Sequence, residues 1–303
     1  MTEVWVDTDF GFDDLWALLL LRHFERPVAG VSLVAGNAPM RQVAANASGA
    51  KQAYGFDWPV WKGATHPLKR PQETAECILG PTGMRTRGLR VPEADPDTVP
   101  AGAVDALRDW LASEPGGPHV VLALGPLTNI AQLLQQAPDV RSRISRLVWM
   151  GGSAGAGNHT LMAEFNAVAD AEALSCVIEA GLSIDIVDLE FCRGVVFGED
   201  DMPETDKLTG DLLGGYLDIA LERGRAGMAI YDPLAALALA APESIGFSSC
   251  DIFVSTSTDE TYGATRISRA TNSTTRIATE AYADLAHICL GVLEREAVNG
   301  PRH

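Results

Sequence analysis

Four aspartates lie within eight residues of the stretch Val4-Trp5-Val6-Asp7-Thr8-Asp9-Phe10-Gly11-Phe12-Asp13-Asp14. The stretch begins as an apolar strand and leads into an apolar helix at residues 15–21. Clustered like charges are unfavourable unless a positive charge lies among them, and carboxylates at the carboxyl end of a parallel strand meet at one edge of the sheet. Because hard oxygen ligands select Ca²⁺ or Mg²⁺ over zinc or copper, the stretch predicts a site for a hard divalent cation.

A simpler interpretation of the same stretch is helix capping. Asp13 or Asp14 is placed to serve as the N-cap of the following helix, where a carboxylate accepts backbone N–H groups. Capping accounts for one aspartate or two of the four, and it leaves Asp7 and Asp9 unexplained. The metal site is therefore the preferred hypothesis.

The composition is that of an acidic globular protein. Of the 303 residues, 47% are hydrophobic, and we expect residues 1–303 to form a single α/β domain. With 23 basic and 40 acidic residues the net charge is −17, so neither nucleic acid nor an anionic membrane is expected as a partner. A neutral or cationic small molecule suits this surface, although acidity that serves only solubility is an equal alternative.

The cysteines and the chain start favour a cytoplasmic protein. Five cysteines are dispersed along the chain without a CxxC pair, which is typical of reduced thiols. No secretory leader is visible at Met1-Thr2-Glu3, and the apolar runs are far shorter than a membrane span. We therefore expect a cytoplasmic location and no membrane partner.

The distribution of apolar segments predicts an α/β fold. Short apolar runs typical of buried parallel strands lie at residues 4–6, 28–34, 120–124, 147–150 and 184–187. Helical patterns lie between them at residues 41–54, 103–113 and 127–136. This alternation predicts an open, mostly parallel sheet with helices on both faces, a Rossmann-like core whose ligands bind at the carboxyl ends of the strands.

The remaining segments are less regular. Residues 67–100 show little periodicity, and we expect a long loop near the site. Residues 198–226 look helical, residues 248–279 favour an antiparallel hairpin, and residues 280–296 predict a final helix.

Two further polar elements follow predicted strands or open predicted helices. Asn158, Glu164 and Asn166 offer amide and carboxylate groups that suit the hydroxyls of a sugar. A loop with an Asx turn and a capping glutamate explains that cluster equally well when it is taken alone. Tyr231-Asp232-Pro233-Leu234-Ala235 opens an apolar helix with Asp232 at the predicted N-cap, where it could also ligate a nearby metal.

Short motifs follow the aspartate stretch in a defined order. They are Val34-Ala35-Gly36-Asn37, Leu124-Gly125-Pro126-Leu127-Thr128-Asn129, Met150-Gly151-Gly152, Ala163-Glu164-Phe165-Asn166 and Asp232-Pro233-Leu234-Ala235. Together with the aspartate stretch, they resemble the inosine-uridine-preferring nucleoside hydrolases, in which proline is usual at the position of Phe10. Each motif is weak alone, but the ordered set is specific and spans residues 4 to about 240.

The resemblance implies a calcium site. One Ca²⁺ would be ligated by the carboxylates of Asp9, Asp14 and Asp232 and by the backbone carbonyl of Leu124. Asp7 would support this cluster from behind, and Asp9 stands at the general-base position of the family. Family members also favour oligomers, so a homodimer or homotetramer is expected.

The resemblance also implies a ribose site and a reaction. The expected ribose contacts are Asp13, Asn37, Met150, Asn158, Glu164 and Asn166. The reaction would be hydrolysis of the N-glycosidic bond of a ribonucleoside, which builds positive charge on the ribose ring. Glu164 would stabilise that charge more in the transition state than in the substrate, and the implied catalytic residues are Asp9, Glu164, Asn166 and Tyr231.

The position of Tyr231 departs from the family pattern. Many members have histidine immediately before the metal-binding aspartate, and many carry His-Gly where this chain has Leu79-Gly80. Tyrosine, with a reference pKa near ~10, is a weaker acid than histidine at neutral pH. We therefore expect purine or activated ribosides to be cleaved better than pyrimidine nucleosides. His159 could point into the pocket, although a lone loop histidine is more often incidental, and one of the six tryptophans could stack on the base.

Two alternatives remain. A catalytically degenerate, riboside-binding homologue would keep the calcium and ribose groups but lack efficient leaving-group activation. A phosphatase of the haloacid dehalogenase type also opens with a strand followed by Asp-x-Asp, but Gly11 and the later pair Asp13-Asp14 fit that motif poorly.

Overall fold

A nine-stranded sheet lies at the centre of the computed structural model, which describes residues 2–113 and 118–298. The described strands are β1 (Val4–Thr8), β2 (Val28–Leu33), β3 (Val60–Lys62), β4 (His119–Ala123), β5 (Ile144–Met150), β6 (Ile184–Val187), β7 (Val196–Phe197), β8 (Met228–Ala229), β9 (Ile245–Val254), β10 (Thr265–Arg269) and β11 (Arg276–Ala281). The large sheet has the order β10-β9-β11-β6-β5-β4-β1-β2-β3, while β7 and β8 form a separate antiparallel pair.

The large sheet is mostly parallel. Every adjacent pair of strands from β11 to β3 is parallel, whereas β9 pairs antiparallel with both β10 and β11. The described helices are α1 (Phe12–His23), α2 (Met40–Tyr54), α3 (Glu76–Leu79), α4 (Ala103–Ala112), α5 (Thr128–Gln136), α6 (Phe165–Ala169), α7 (Ala171–Glu179), α8 (Leu189–Arg193), α9 (Lys207–Leu221), α10 (Asp232–Ala240) and α11 (Leu285–Val298). The predicted α/β class with an open, mostly parallel sheet is confirmed.

Helices cover both faces of this sheet. Successive strand residues point to opposite faces, so Val6 and Trp5 belong to two different apolar clusters. Val6 packs in the cluster that contains α1, α9, α10 and α11, whereas Trp5 packs in the cluster that contains α4, α5 and α7. Each face therefore has its own core, and the β1–α1 turn emerges between them at the carboxyl edge.

Two segments differ in detail from the sequence prediction. The final helix begins at Leu285 rather than at residue 280, because residues 276–281 instead extend the sheet as β11. The predicted helix at residues 198–226 is confined to α9, since Pro203 cannot donate to a helical hydrogen bond. Within residues 67–100 the regular structure is α3 and a short 3₁₀ turn at Pro96–Thr98, as expected of a long loop. In the part of the chain described, no helix combines the length and apolarity needed to cross a membrane.

Candidate active site

A cleft opens at the carboxyl ends of the central parallel strands, with a free volume of about 820 Å³ including its mouth. Ten of the eleven site residues predicted from the sequence line it: Asp9, Asp13, Asn37, Leu124, Met150, Asn158, Glu164, Asn166, Tyr231 and Asp232. The eleventh, Asp14, is fully buried, with a carboxylate oxygen within 4.8 Å of Asp13 and Asp232. The fold thus gathers residues from widely separated parts of the chain.

The turn between β1 and α1 has an unusual backbone that directs its aspartates. Phe10 is buried and adopts a φ of 43°, a left-handed conformation that residues with side chains rarely take. The Thr8 hydroxyl accepts the Phe10 N–H at 3.0 Å and itself donates to Asp14. The Gly11 N–H also donates to Asp14, at 2.6 Å. These bonds hold the strained turn in one conformation.

Asp9 is held by the turn that follows β2. The backbone N–H of Asn37 donates to Asp9 Oδ2 at 2.7 Å, and the Asn37 side-chain amide donates to Oδ1 at 3.0 Å. A Cβ at Gly36 would lie 2.1 Å from Asp9 Oδ2, so only glycine permits this approach. The Gly36-Asn37 motif therefore serves to place the Asp9 carboxylate.

Asp13, Asp14 and Asp232 form a compact carboxylate cluster. One oxygen from each lies within 4.8 Å of the others. Burial, followed by the charge of Asp14, raises the pKa of Asp13 to about 7. Burial, followed by the charges of Asp13 and Asp14, raises the pKa of Asp232 well above its usual range. Among the described residues, no lysine or arginine forms an ion pair with these three carboxylates.

This donor set fits a hard divalent cation. Closely spaced buried carboxylates without a basic partner are costly by themselves, and a bound cation would reverse the pKa shifts. Asp9 lines the same cleft, and burial followed by the charge of Asp14 raises its pKa well above the usual range. The three carboxylate oxygens that lie within 4.8 Å of one another include one from Asp13, a residue that the family resemblance places among the ribose contacts. The residues can therefore hold a metal ion, and which four donors bind it remains a prediction.

Glu164 also lines the cleft, at the N-cap of α6. Its carboxylate accepts the backbone N–H groups of Asn166 at 2.8 Å, Ala167 at 3.0 Å and Gly152 at 2.8 Å. Burial raises its pKa to about 7, although these three N–H groups favour the charged form. Glu164 therefore caps α6, as the simpler interpretation predicted, and its carboxylate is also buried in the wall of the cleft.

The Asn166 side chain bridges two strand ends. Its amide nitrogen donates to the carbonyl oxygen of Leu124 at 2.8 Å and to that of Met150 at 3.0 Å. A carbonyl oxygen has two lone pairs, so the Leu124 oxygen keeps one for a metal ion. Asn166 therefore fixes the orientation of a predicted metal ligand.

Asp7 and Asn158 differ in their exposure to solvent. Asp7 is fully buried below the cleft, accepts from Ser32 and from the Asn129 amide at 2.7 Å, and has a pKa that burial raises to about 7. Asn158 is exposed at the cleft mouth, where its side-chain oxygen accepts the Phe165 N–H at 3.0 Å. Asp7 is thus placed to support the turn, and Asn158 both caps α6 locally and faces the cleft.

Two tyrosines line the cleft near Asp232. Burial, more than the neighbouring thiol of Cys192, raises the pKa of Tyr231 to about 12, which makes it a still weaker acid. The Tyr216 hydroxyl donates to Asp13 Oδ2 at 3.1 Å.

Tyr231 itself occupies the N-cap position of α10, so the prediction of Asp232 as the N-cap is wrong by one residue. Asp232 is the first residue of the helix instead, and its carboxylate is free to face Asp13 and Asp14.

Sequence reasoning missed much of the remaining lining of the cleft, which is mostly apolar but includes two arginines. The residues concerned are Ala75, Ile78, Phe165, Tyr216, Ile219, Ala220, Arg223, Arg225 and Met228. Several come from α9 and the segment after it, whose pattern shows a helix but not which face meets the cleft. No tryptophan belongs to the described lining, so the expected tryptophan stack on a base is absent from it.

Comparison with known proteins identifies the family of this chain. A family model described as inosine-uridine preferring nucleoside hydrolase matches residues 4–288. The chain belongs to this family. The prediction made from the ordered motifs is thereby confirmed.

Individual nucleoside hydrolases show the same similarity. The non-specific ribonucleoside hydrolase RihC of Escherichia coli O127:H6 is 34% identical over 269 residues, which cover 86% of each chain. A solved inosine-guanosine nucleoside hydrolase superposes with a TM-score of 0.85 at 24% identity, over 98% of this chain and 99% of that one. A purine-preferring ribonucleoside hydrolase from Gardnerella vaginalis gives a TM-score of 0.83 at 22% identity, over 97% and 100%. These two structural matches support the fold.

Proposed function

We propose that this chain is a Ca²⁺-dependent N-ribohydrolase that cleaves ribonucleosides or related ribosides into ribose and the free base. The carrying observation is that one cleft is lined by the buried carboxylate of Glu164 and by Asp13 and Asp232, which form a carboxylate cluster with the buried Asp14. Family membership and the similarity to a ribonucleoside hydrolase support the reaction class. The proposed ligands are Asp9, Asp14, Asp232 and the Leu124 carbonyl, which are all hard oxygen donors.

The metal ion and the Asp9 carboxylate have different proposed roles. When bound, a divalent cation supplies the Lewis acidity that makes a water molecule nucleophilic near neutral pH. Asp9, which Asn37 holds through two hydrogen bonds, would accept the proton of the attacking water. Buried carboxylates such as Asp9 retain strong electrostatic interactions because little water competes with them.

Glu164 is the proposed partner of the ribosyl cation. As the glycosidic bond breaks, positive charge grows on the ribose ring. A carboxylate already fixed by Gly152, Asn166 and Ala167 N–H groups needs no reorganisation to oppose that charge. Asp13, Asn37, Met150, Asn158 and Asn166 are the remaining proposed ribose contacts.

Leaving-group departure is the weak step of this site. With its pKa raised to about 12, Tyr231 donates a hydrogen bond far more readily than a proton. Purine and activated ribosides should therefore react better than pyrimidine nucleosides. The same observation favours the second candidate, a riboside-binding homologue that keeps the ribose and metal groups without efficient turnover.

Release of reducing sugar from inosine, uridine and p-nitrophenyl riboside separates the two candidates. Because nitrophenolate leaves without protonation, a competent ribosyl site should cleave the nitrophenyl compound whatever Tyr231 contributes. Binding of all three compounds without cleavage of any would establish the second candidate instead.

We also propose that residues 1–303 form one domain and that the protein is a cytoplasmic homodimer or homotetramer. All five cysteines are free, which agrees with a reducing compartment. The oligomeric state follows from the family resemblance, and light scattering after gel filtration tests it.

A further inference from the structure

Two arginines line the cleft of this strongly acidic protein. Arg223 and Arg225 are both exposed, and the lining that the structure describes contains no other lysine or arginine. Neither guanidinium group forms a hydrogen bond or an ion pair with another described residue. In a chain with 23 basic and 40 acidic residues, two cations without a protein partner in one cleft are unexpected. Their N–H donors are therefore available to a ligand.

The acidic residues near the end of α9 are already engaged by other arginines. Glu222 accepts from Arg85 Nη1 at 2.8 Å, and Asp218 accepts from Arg87 Nε at 3.1 Å. The carboxylates that lie closest to Arg223 in the sequence are thus satisfied from the long loop at residues 67–100. The protein pairs its surface arginines where it can, and it leaves the two in the cleft unpaired.

The backbone that carries the two arginines is fixed by the end of α9. The N–H groups of Arg223 and Arg225 donate to the Ala220 carbonyl at 3.0 and 3.1 Å, and the Gly224 N–H donates to the Leu221 carbonyl at 2.9 Å. Gly224 has a φ of 72°, the left-handed conformation that ends a helix in a Schellman motif. Both side chains therefore start from a defined turn beside the cleft.

Arg225 lies near Tyr231, the residue proposed to contact the departing base. Its charge favours the phenolate of Tyr231 and so opposes the rise in pKa that burial and then the thiol of Cys192 cause, which requires the two side chains to be close. Ile219 and Met228, which flank the two arginines in the chain, are buried beside the same cleft. An apolar surface with guanidinium groups at its edge suits an aromatic ring that carries an anionic substituent.

We propose that Arg225 and Arg223 bind a carboxylate on the base of the substrate, so that the preferred substrates are ribosides of carboxylated aromatic bases. The inference rests on the proposed riboside hydrolysis and names the substrate class for it. A planar carboxylate accepts the parallel N–H donors of a guanidinium group, which makes this pair strong and directional. A phosphate on the ribose attracts arginine in the same way, and the test separates the two anions.

Nicotinic acid riboside and nicotinamide riboside test this preference, because one carries a carboxylate where the other carries a carboxamide. Both are pyridinium ribosides. In hydrolysis, water supplies the hydroxyl at C1′ and releases one proton, the C1′–N bond breaks, and its electron pair returns to the ring nitrogen. Neither base needs a proton to leave, so the comparison measures recognition apart from leaving-group protonation. Since the two bases differ in intrinsic leaving ability, the informative quantity is the change on mutation in the ratio of their kcat/KM values.

Arg225→Met should lower the ratio of kcat/KM for the carboxylate over the carboxamide by roughly fivefold, and the double variant with Arg223→Met by roughly tenfold or more. Arg225→Lys, which keeps the charge but not the paired donors, should give a ratio between those of the wild type and Arg225→Met. Arg269→Met is the matched control. Arg269 is exposed and its side chain has no partner among the described residues, but it lies on β10 outside the cleft lining, so its ratio should equal that of the wild type.

Three kinetic results overturn the proposal. An unchanged ratio in the double variant would remove the arginines from recognition of the base, and equal losses on both ribosides would give them a structural role. A kcat/KM that is higher for inosine 5′-monophosphate than for inosine, and that loses this advantage in the double variant, would assign the arginines to a ribose phosphate instead.

Calorimetric titration of both pyridinium ribosides in the presence of Ca²⁺ separates this inference from the hydrolase function. Tighter binding of nicotinic acid riboside that depends on Arg225, by a protein that cleaves no riboside, would sustain the inference and refute the hydrolase function. Cleavage of p-nitrophenyl riboside by a protein whose preference between the two ribosides does not depend on the arginines would sustain the hydrolase function and refute the inference.

Discussion

The hydroxyl of Tyr216 donates to Oδ2 of Asp13 across 3.1 Å, and this bond joins α9 to the first turn of α1. The two residues are 203 positions apart in the sequence. The Tyr216 ring packs against Phe12 and Phe197, so its place is set by the core as well as by the hydrogen bond. The Asp13 carboxylate is therefore oriented before substrate arrives.

Tyr216→Phe should lower kcat/KM on p-nitrophenyl riboside by roughly tenfold, because Asp13 loses its positioning donor. The ring and its packing remain, so the melting temperature should change little. Tyr262→Phe is the matched control, since Tyr262 also donates to a carboxylate, that of Glu172, away from the cleft. Equal kinetic parameters for the Tyr216 variant and the wild type would show that Asp13 needs no such support.

Glu164→Gln should reduce kcat on p-nitrophenyl riboside by roughly 10²-fold with a smaller change in KM, because the carboxylate opposes a charge that is complete only in the transition state. In this variant a side-chain amide replaces the carboxylate that accepts three backbone N–H groups, so we expect some loss of stability. Asp188→Asn is the control for that loss, since Asp188 caps α8 through the N–H group of Phe191 and also accepts the N–H group of Ala154. A rise in KM alone would contradict the role of Glu164.

Tyr231→Phe should slow hydrolysis of inosine and spare p-nitrophenyl riboside. The phenol donates a hydrogen bond to a departing base, whereas nitrophenolate needs no such help. Steady-state kinetics on both substrates measure the difference. If both rates fall together, Tyr231 supports the metal site or the packing around Cys192. If neither rate changes, Tyr231 has no part in departure of the base.

The metal-free protein should become less stable as the pH rises from about 5 to about 8. The folded-state pKa of Asp13 is raised to about 7, and those of Asp9 and Asp232 are raised as well, so folding favours their protonated forms. That contribution is present below the unfolded pKa near ~4 and is lost as the pH passes the folded value.

Thermal unfolding in a chelator and in Ca²⁺ measures this effect. Calcium should raise the melting temperature more at about pH 8 than at about pH 5, where protons compete for the carboxylates. Asp13→Asn removes one of the titrating groups and should flatten the pH dependence of the chelated protein. A chelated wild type whose melting temperature rises across the window would be inconsistent with this explanation.

The sequence allowed the fold and the polar half of the site to be predicted because both have local signals. The strand–turn–helix pattern around Asp7–Asp14 specifies a carboxyl edge, and the short motifs identify the residues that meet there. The apolar half lacked such a signal. The burial of Ile219 beside the cleft depends on how α9 docks, and the contact of His159 Nε2 with Glu73 depends on a loop without periodicity.

Chelation and readdition of metal tests the central claim most directly, with p-nitrophenol release from the riboside as the readout. Wild-type enzyme should lose activity when its metal is removed and recover it with about one equivalent of Ca²⁺. Asp14→Asn should remain folded but bind no stoichiometric calcium and recover no activity, while Asp170→Asn, a buried cap of α7, should behave as the wild type in metal binding. Full activity of the chelated wild type, or stoichiometric calcium retained by folded Asp14→Asn, would contradict the account.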